Sequence, residues 1–215
     1  MDTLWGIFFG SFVIGLSGAM MPGPMFVVVV GQTPRQGAWT GPVVVFGHGI
    51  LESLLVGAVI LGLAEFISSP AVITTVALIG GVVLLYMGVD MLRSAGRLSL
   101  FAVSGQMKGS MVDVHPFWAG ILTSLANPYW TLWWATIGLG YMLIASKNGS
   151  VGLAVFLIGH IMSDLVWYTT VSTLVAGGKR WLTDSIYRSI IRTCGVVLLF
   201  FALYFGWRAF HGISI

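Results

Sequence analysis

The chain has 215 residues, of which 57% are hydrophobic and 8% charged, and ten Lys or Arg against seven Asp or Glu give a formal net charge of +3. A soluble domain carries about 25% charged residues, and with a mean hydropathy of +0.97 this chain is excluded from that class. Its sparse basic residues form no cluster suited to nucleic acid.

Six apolar segments are each near the ~20 residues that a bilayer-spanning helix needs. None shows the period-two alternation of a barrel strand, so helices are expected throughout. The first, residues 4–30, follows Met1-Asp2-Thr3 without a basic stretch and does not read as a cleavable signal. Pro22-Gly23-Pro24 interrupts it. The second, 39–63, contains Gly47-His48-Gly49-Ile50-Leu51-Glu52, and the third, 71–92, contains Gly81-Val82-Val83-Leu84-Leu85. The link 93–116 is the longest and most polar. Met107, Met111 and His115 are spaced there like a soft-metal set, but Gly109 and Pro116 favour an irregular loop. The fourth segment, 117–144, is interrupted at Asn127-Pro128 and is rich in aromatics, with Trp130, Trp133 and Trp134 just past the break. The fifth, 151–176, contains Gly159-His160-Ile161-Met162-Ser163-Asp164, and the sixth, 190–210, contains Gly195-Val196-Val197-Leu198-Leu199. Cys194 is the single cysteine, so no internal disulfide forms and a packing role is expected.

These phrases recur in order. The histidine phrase repeats at an offset of 112, the Gly-Val-Val-Leu-Leu run at 114, and the two proline breaks at about 105. The expected fold is an all-α membrane protein with six transmembrane helices in two three-helix repeats, helices 1 and 4 being broken. An odd number of helices per repeat inverts the second copy, an architecture tied to alternating access. One transporter domain covers 1–215, with repeat 1 at about 4–92, a loop at about 93–116 and repeat 2 at about 117–210. Arg35, Arg93, Arg97, Lys108, Lys179, Arg180, Arg188 and Arg192 fall on one side, and Lys147 and Arg208 on the other. The positive-inside rule puts the first set in the cytoplasm. The expectation is a multi-pass cell-membrane protein with both termini outside.

The chemistry concentrates near the membrane centre. His48 and Glu52, like His160 and Asp164, are four residues apart and so share one helical face. Ionisable residues at that depth cost roughly 2.5–3.5 kcal/mol each on insertion scales and mark transport or proton pathways. Pro22 and Pro24 lack amide hydrogens, so carbonyls near Gly18, Ala19 and Met20 lose helical partners, and Asn127-Pro128 does the same in the fourth helix. Freed carbonyls can hold an ammonium, and an indole face such as that of Trp130 can cradle one.

Ser17-Gly18-Ala19-Met20-Met21-Pro22-Gly23-Pro24 resembles the first-helix Pro-Gly-Pro signature of the lysine exporter (LysE/RhtB) superfamily. Gly120-x-x-x-x-x-x-Asn127-Pro128 resembles its fourth-helix motif, and Tyr86-Met87-Gly88 followed by Arg93 fits its third-helix end. The resemblance implies a secondary exporter of amino acids or small amine derivatives, driven by proton exchange. It implies a substrate site at Pro22, Gly23, Pro24, Asn127 and Pro128, to which the aromatic reading adds Trp130. His48, Glu52, His160 and Asp164 are the expected proton-coupling set. The alternative is a divalent-cation exporter with the same four residues as metal ligands. A remote alternative is an intramembrane metal-dependent hydrolase. In the leading reading there is no enzyme activity and no cofactor. The partners are a small-molecule substrate, protons and lipid, and a homo-oligomer is compatible with the sequence.

Overall fold

The computed structural model describes residues 3–21, 23–63, 66, 69–97, 114–177 and 183–210, and every regular element among them is helical. The helices are α1 (Leu4–Ala19), α2 (Pro24–Gln36), α3 (Thr40–Ala58), α4 (Pro70–Ser94), α5 (Pro116–Leu125), α6 (Pro128–Trp133), α7 (Leu139–Ser146), α8 (Gly149–Ala176) and α9 (Asp184–Phe210). A π-helical turn, Val59–Leu63, prolongs α3, and another, Trp134–Gly138, joins α6 to α7. Met107, Met111, Lys108, Lys179 and Arg180 lie outside the described residues.

Among the described residues, four helices are long and apolar enough to cross a membrane: Thr40–Gly62, Pro70–Arg93, Gly149–Ala176 and Asp184–Tyr204. A fifth span results if α1 and α2, bent by 75° at their junction, count as one. The fourth expected segment is instead divided among α5, α6, the π-turn and α7, and α5 has only 10 residues. The last helix starts at Asp184, six residues before the apolar run. Its first turns carry Asp184, Arg188 and Arg192, so hydropathy locates the span while the helix itself runs on into polar sequence.

Proline and its neighbours set the element boundaries. Gly23 is extended (φ −120°, ψ −175°) and Pro24 opens α2, where its missing N–H is no loss. Asn127 is also extended (φ −95°, ψ 104°), and Pro128 opens α6. The Asn127 Oδ1 accepts the Tyr129 N–H at 3.1 Å, a side-chain cap that makes this break a defined corner. Pro70 and Pro116 start α4 and α5 in the same way.

The helices pair as α1 with α8, α3 with α5, and α4 with α9, while α3 and α8 meet each other. Glycine permits the closest approaches. A Cβ at Gly47 would overlap the Phe117 carbonyl of α5, one at Gly120 the Val44 carbonyl of α3, and one at Gly159 the Phe8 carbonyl and Ser11 hydroxyl of α1. Gly88 and Gly195 each face the other's carbonyl between α4 and α9. Trp5, Phe9, Phe46, Leu61, Leu143 and Leu203 are exposed on the outside, as lipid contact requires and a water-facing surface would not tolerate in such number. Within the 28-residue α8, His160 sits roughly 17 Å from the start at 1.5 Å per residue, close to its middle.

Candidate functional site

Two short helical periods and two helix breaks converge on one cavity of about 70 Å³. Its lining includes Gly23 and Pro24 from the first break, Asn127 and Trp130 from the second, and all four residues of the doubled histidine phrase. Leu84 and Leu198, matching residues of the two Gly-Val-Val-Leu-Leu runs, also line it. Pro128 is buried, with its ring turned toward Gly80 of α4, and is not among the lining residues. Pro22 lies outside the described residues.

At the centre, α3 and α8 bring their acid and imidazole groups into one cluster. His48 Nε2 and His160 Nε2 each lie 3.0 Å from Glu52 Oε1. Asp164 Oδ2 lies 3.5 Å from His48 Nε2 and 3.9 Å from His160 Nε2. None of the four residues is more than 5% exposed, so the charges are held by one another rather than by solvent. Two indoles complete the surround: Trp134 Nε1 donates to Glu52 Oε1 at 2.9 Å and Trp130 Nε1 at 3.2 Å.

The two histidines are furnished differently. His48 Nδ1 lies 2.7 Å from the Ser124 hydroxyl, which also reaches the Gly120 carbonyl at 2.7 Å. A hydroxyl that gives its proton to that carbonyl accepts from the ring, so both nitrogens of His48 face acceptors. His160 instead stacks on Trp133 with ring centres 4.6 Å apart and planes at 25°, and its buried Nδ1 has no hydrogen-bond partner among the described residues.

The break in the first helix leaves fewer carbonyls open than Pro-Gly-Pro implies. Gly18 O accepts the Met21 N–H at 3.1 Å, and Ala19 O accepts the Tyr168 hydroxyl of α8 at 3.3 Å.

Sequence reasoning missed Ser124, Tyr168 and the donor role of Trp134. Tyr168 follows Asp164 by four residues and Trp134 follows Trp130 by four, so helical spacing carried a signal for both. Ser124 had none, because its partner His48 is 76 positions away on another helix. His48, Glu52 and Asp164 could offer one ligand atom each within 4.8 Å of one another, but His160 does not join that set. The two indole N–H groups on Glu52 Oε1 would oppose a cation bound there.

A family described as LysE type translocator matches residues 16–208, which includes both breaks and the whole cluster. The chain belongs to this family. It is therefore a membrane transport protein and not an enzyme. Bacillus subtilis YcgF, named for amino acid efflux, is 27% identical over 206 residues, covering 94% of this chain and 96% of that protein. The chemotactic transduction protein ChpE of Pseudomonas aeruginosa is 28% identical over 199 residues, covering 90% and 94%. The threonine efflux protein of Salmonella typhi is 26% identical over 172 residues, covering 79% and 82%. No solved structure matches the chain.

Proposed function

We propose that this translocator exports amino acids or their small amine derivatives by exchange for protons. The observation that carries the reading is the His48–Glu52–His160–Asp164 cluster in the wall of a cavity bounded by both helix breaks. The relatives named for amino acid and threonine efflux support the substrate class. Cavity size supports a small substrate: at about 10–15 Å³ per water, 70 Å³ is space for a handful of small groups. Leu84, Leu198, Met25 and Phe201 make part of that wall apolar, while Asn127, Ser124 and the carboxylates make the rest polar. Such a lining suits an amphiphilic amine.

Two inverted three-helix repeats account for the packing. Exchanging the first segment with the fourth and the second with the fifth turns the α1–α8 contact into the α5–α3 contact, and the α4–α9 pair maps onto itself. The close approach of Gly159 to Phe8 then matches that of Gly47 to Phe117. Such repeats around a midplane site favour rocking between inward- and outward-open states. The basic residues favour a cytoplasmic location for the α2–α3 and α8–α9 links and an outward location for both termini in the cell membrane.

Proton coupling is preferred to metal export because the cluster already supplies imidazole and indole donors to its carboxylates. The test is a panel of radiolabelled amino acids in proteoliposomes, with divalent cations as a parallel panel, each with and without an imposed pH gradient. Gradient-dependent accumulation of one or more amino acids is expected. Gradient-independent movement, or accumulation of divalent cations alone, would overturn the reading.

A further inference from the structure

Glu52 and Asp164 hold matching places on α3 and α8, each four residues after a histidine, yet their surroundings differ. Glu52 Oε1 meets four nitrogens within 3.2 Å: two indoles and two imidazoles. Among the described residues, Asp164 Oδ2 has the two imidazoles, at 3.5 and 3.9 Å, and no closer donor. The indoles come from the stretch that follows Pro128. Counted from Pro24, the corresponding positions in α2 are Phe26 and Val30, which have no N–H to give. The histidines diverge in the same way. In α5, Ser124 offers its hydroxyl to His48 Nδ1, whereas in α1 the residue against His160 Nδ1 is Gly15, which has no side chain to offer.

Charge counting then separates the two acids. His48, with acceptors at both nitrogens, can carry a positive charge, while His160, with an acceptor at one, is furnished for the neutral ring. Two carboxylates against one imidazolium leave one negative charge on side chains no more than 5% exposed, which is costly unless a cation joins it. Among the described residues, the other titratable groups lining the cavity with Asp164 are Glu52 and His48 from α3, His160 and Tyr168 from its own helix, and Tyr129 from α6; α1 and α2 bring none.

We infer that Asp164 is the carboxylate on which a proton and the substrate's ammonium group replace one another, while Glu52 is a fixed anion that positions the imidazoles. This rests on the proton-exchange reading and assigns its two acids separate roles. A site that holds either a proton or an ammonium, but not both, couples their opposite movement without further machinery.

The full-length protein in lipid, followed by pH-difference infrared spectroscopy, tests the assignment without any substrate. On acidification the wild type and Glu52→Gln should gain the C=O band of a buried protonated carboxyl, and Asp164→Asn should lack it. Methylammonium chloride added at constant pH should diminish the wild-type band. In Trp130→Phe/Trp134→Phe, where Glu52 loses its indole donors, a second carboxyl band should appear. A band lost in Glu52→Gln and kept in Asp164→Asn, no band in the wild type, no effect of methylammonium, or an unchanged single band in the double indole variant would each overturn the inference. Vesicles that fail to move amino acids under a pH gradient would sink the transport reading by itself, with the band assignment read independently.

Discussion

Glu52 draws its stability from groups on three separate stretches of chain, so removing any one donor leaves a buried oxygen less well held. Trp134→Phe removes the N–H at 2.9 Å together with the pyrrole part of a buried indole, so the space left behind adds to the loss of the bond. Hydrogen bonds to charged groups contribute about 1.5–3 kcal/mol, and a drop of at least that order is expected in unfolding experiments in detergent. Ser124→Ala strips His48 Nδ1 of its hydroxyl partner. An unsatisfied buried group costs about 1–3 kcal/mol, so thermal unfolding should again shift downward, whereas Ser17→Ala, at an exposed hydroxyl, should leave it unchanged. At this scale the sequence was legible where partners share a helix. His48 with Glu52, and His160 with Asp164, follow from a spacing of four. The cross-helix bonds to Ser124 and to the Ala19 carbonyl were not legible, because nothing local in sequence records which helix faces meet.

Helix packing depends on glycine where the pairs α3–α5 and α1–α8 approach most closely. Gly120→Ala puts a methyl into the Val44 carbonyl, and Gly159→Ala puts one into Phe8 and Ser11. Overpacking of this kind costs typically 1–3 kcal/mol, so both variants should unfold at lower temperature. Gly57→Ala, with open space at the same atom, should match the parent. Hydropathy located the long helices α3, α4, α8 and α9, and the prolines located both breaks. The π-turn at Trp134–Gly138 was not legible, since no proline or run of polar residues marks it. At its end Gly138 passes over the Trp134 ring too closely for a side chain. This turn follows Trp134 directly, the residue whose indole N–H reaches Glu52.

Among the described residues, the Asp, Glu, Lys and Arg side chains fall in two groups: Glu52 and Asp164 in the central cluster, and the others, such as Arg35, Asp90, Arg93, Lys147, Asp184 and Arg188, toward helix ends and links. Single-cysteine variants at Arg35 and Lys147 should react with membrane-impermeant thiol reagents from opposite sides, Lys147 from outside the cell; the buried Cys194 should contribute little. Labelling of both from one side would contradict the inverted arrangement. Accumulation of radiolabelled amino acid in proteoliposomes under an imposed pH gradient, for the wild type beside Glu52→Gln/Asp164→Asn, tests proton-driven export through this cluster most directly. The account predicts gradient-dependent accumulation by the wild type and none by the double variant. Equal gradient-driven accumulation by both would contradict it.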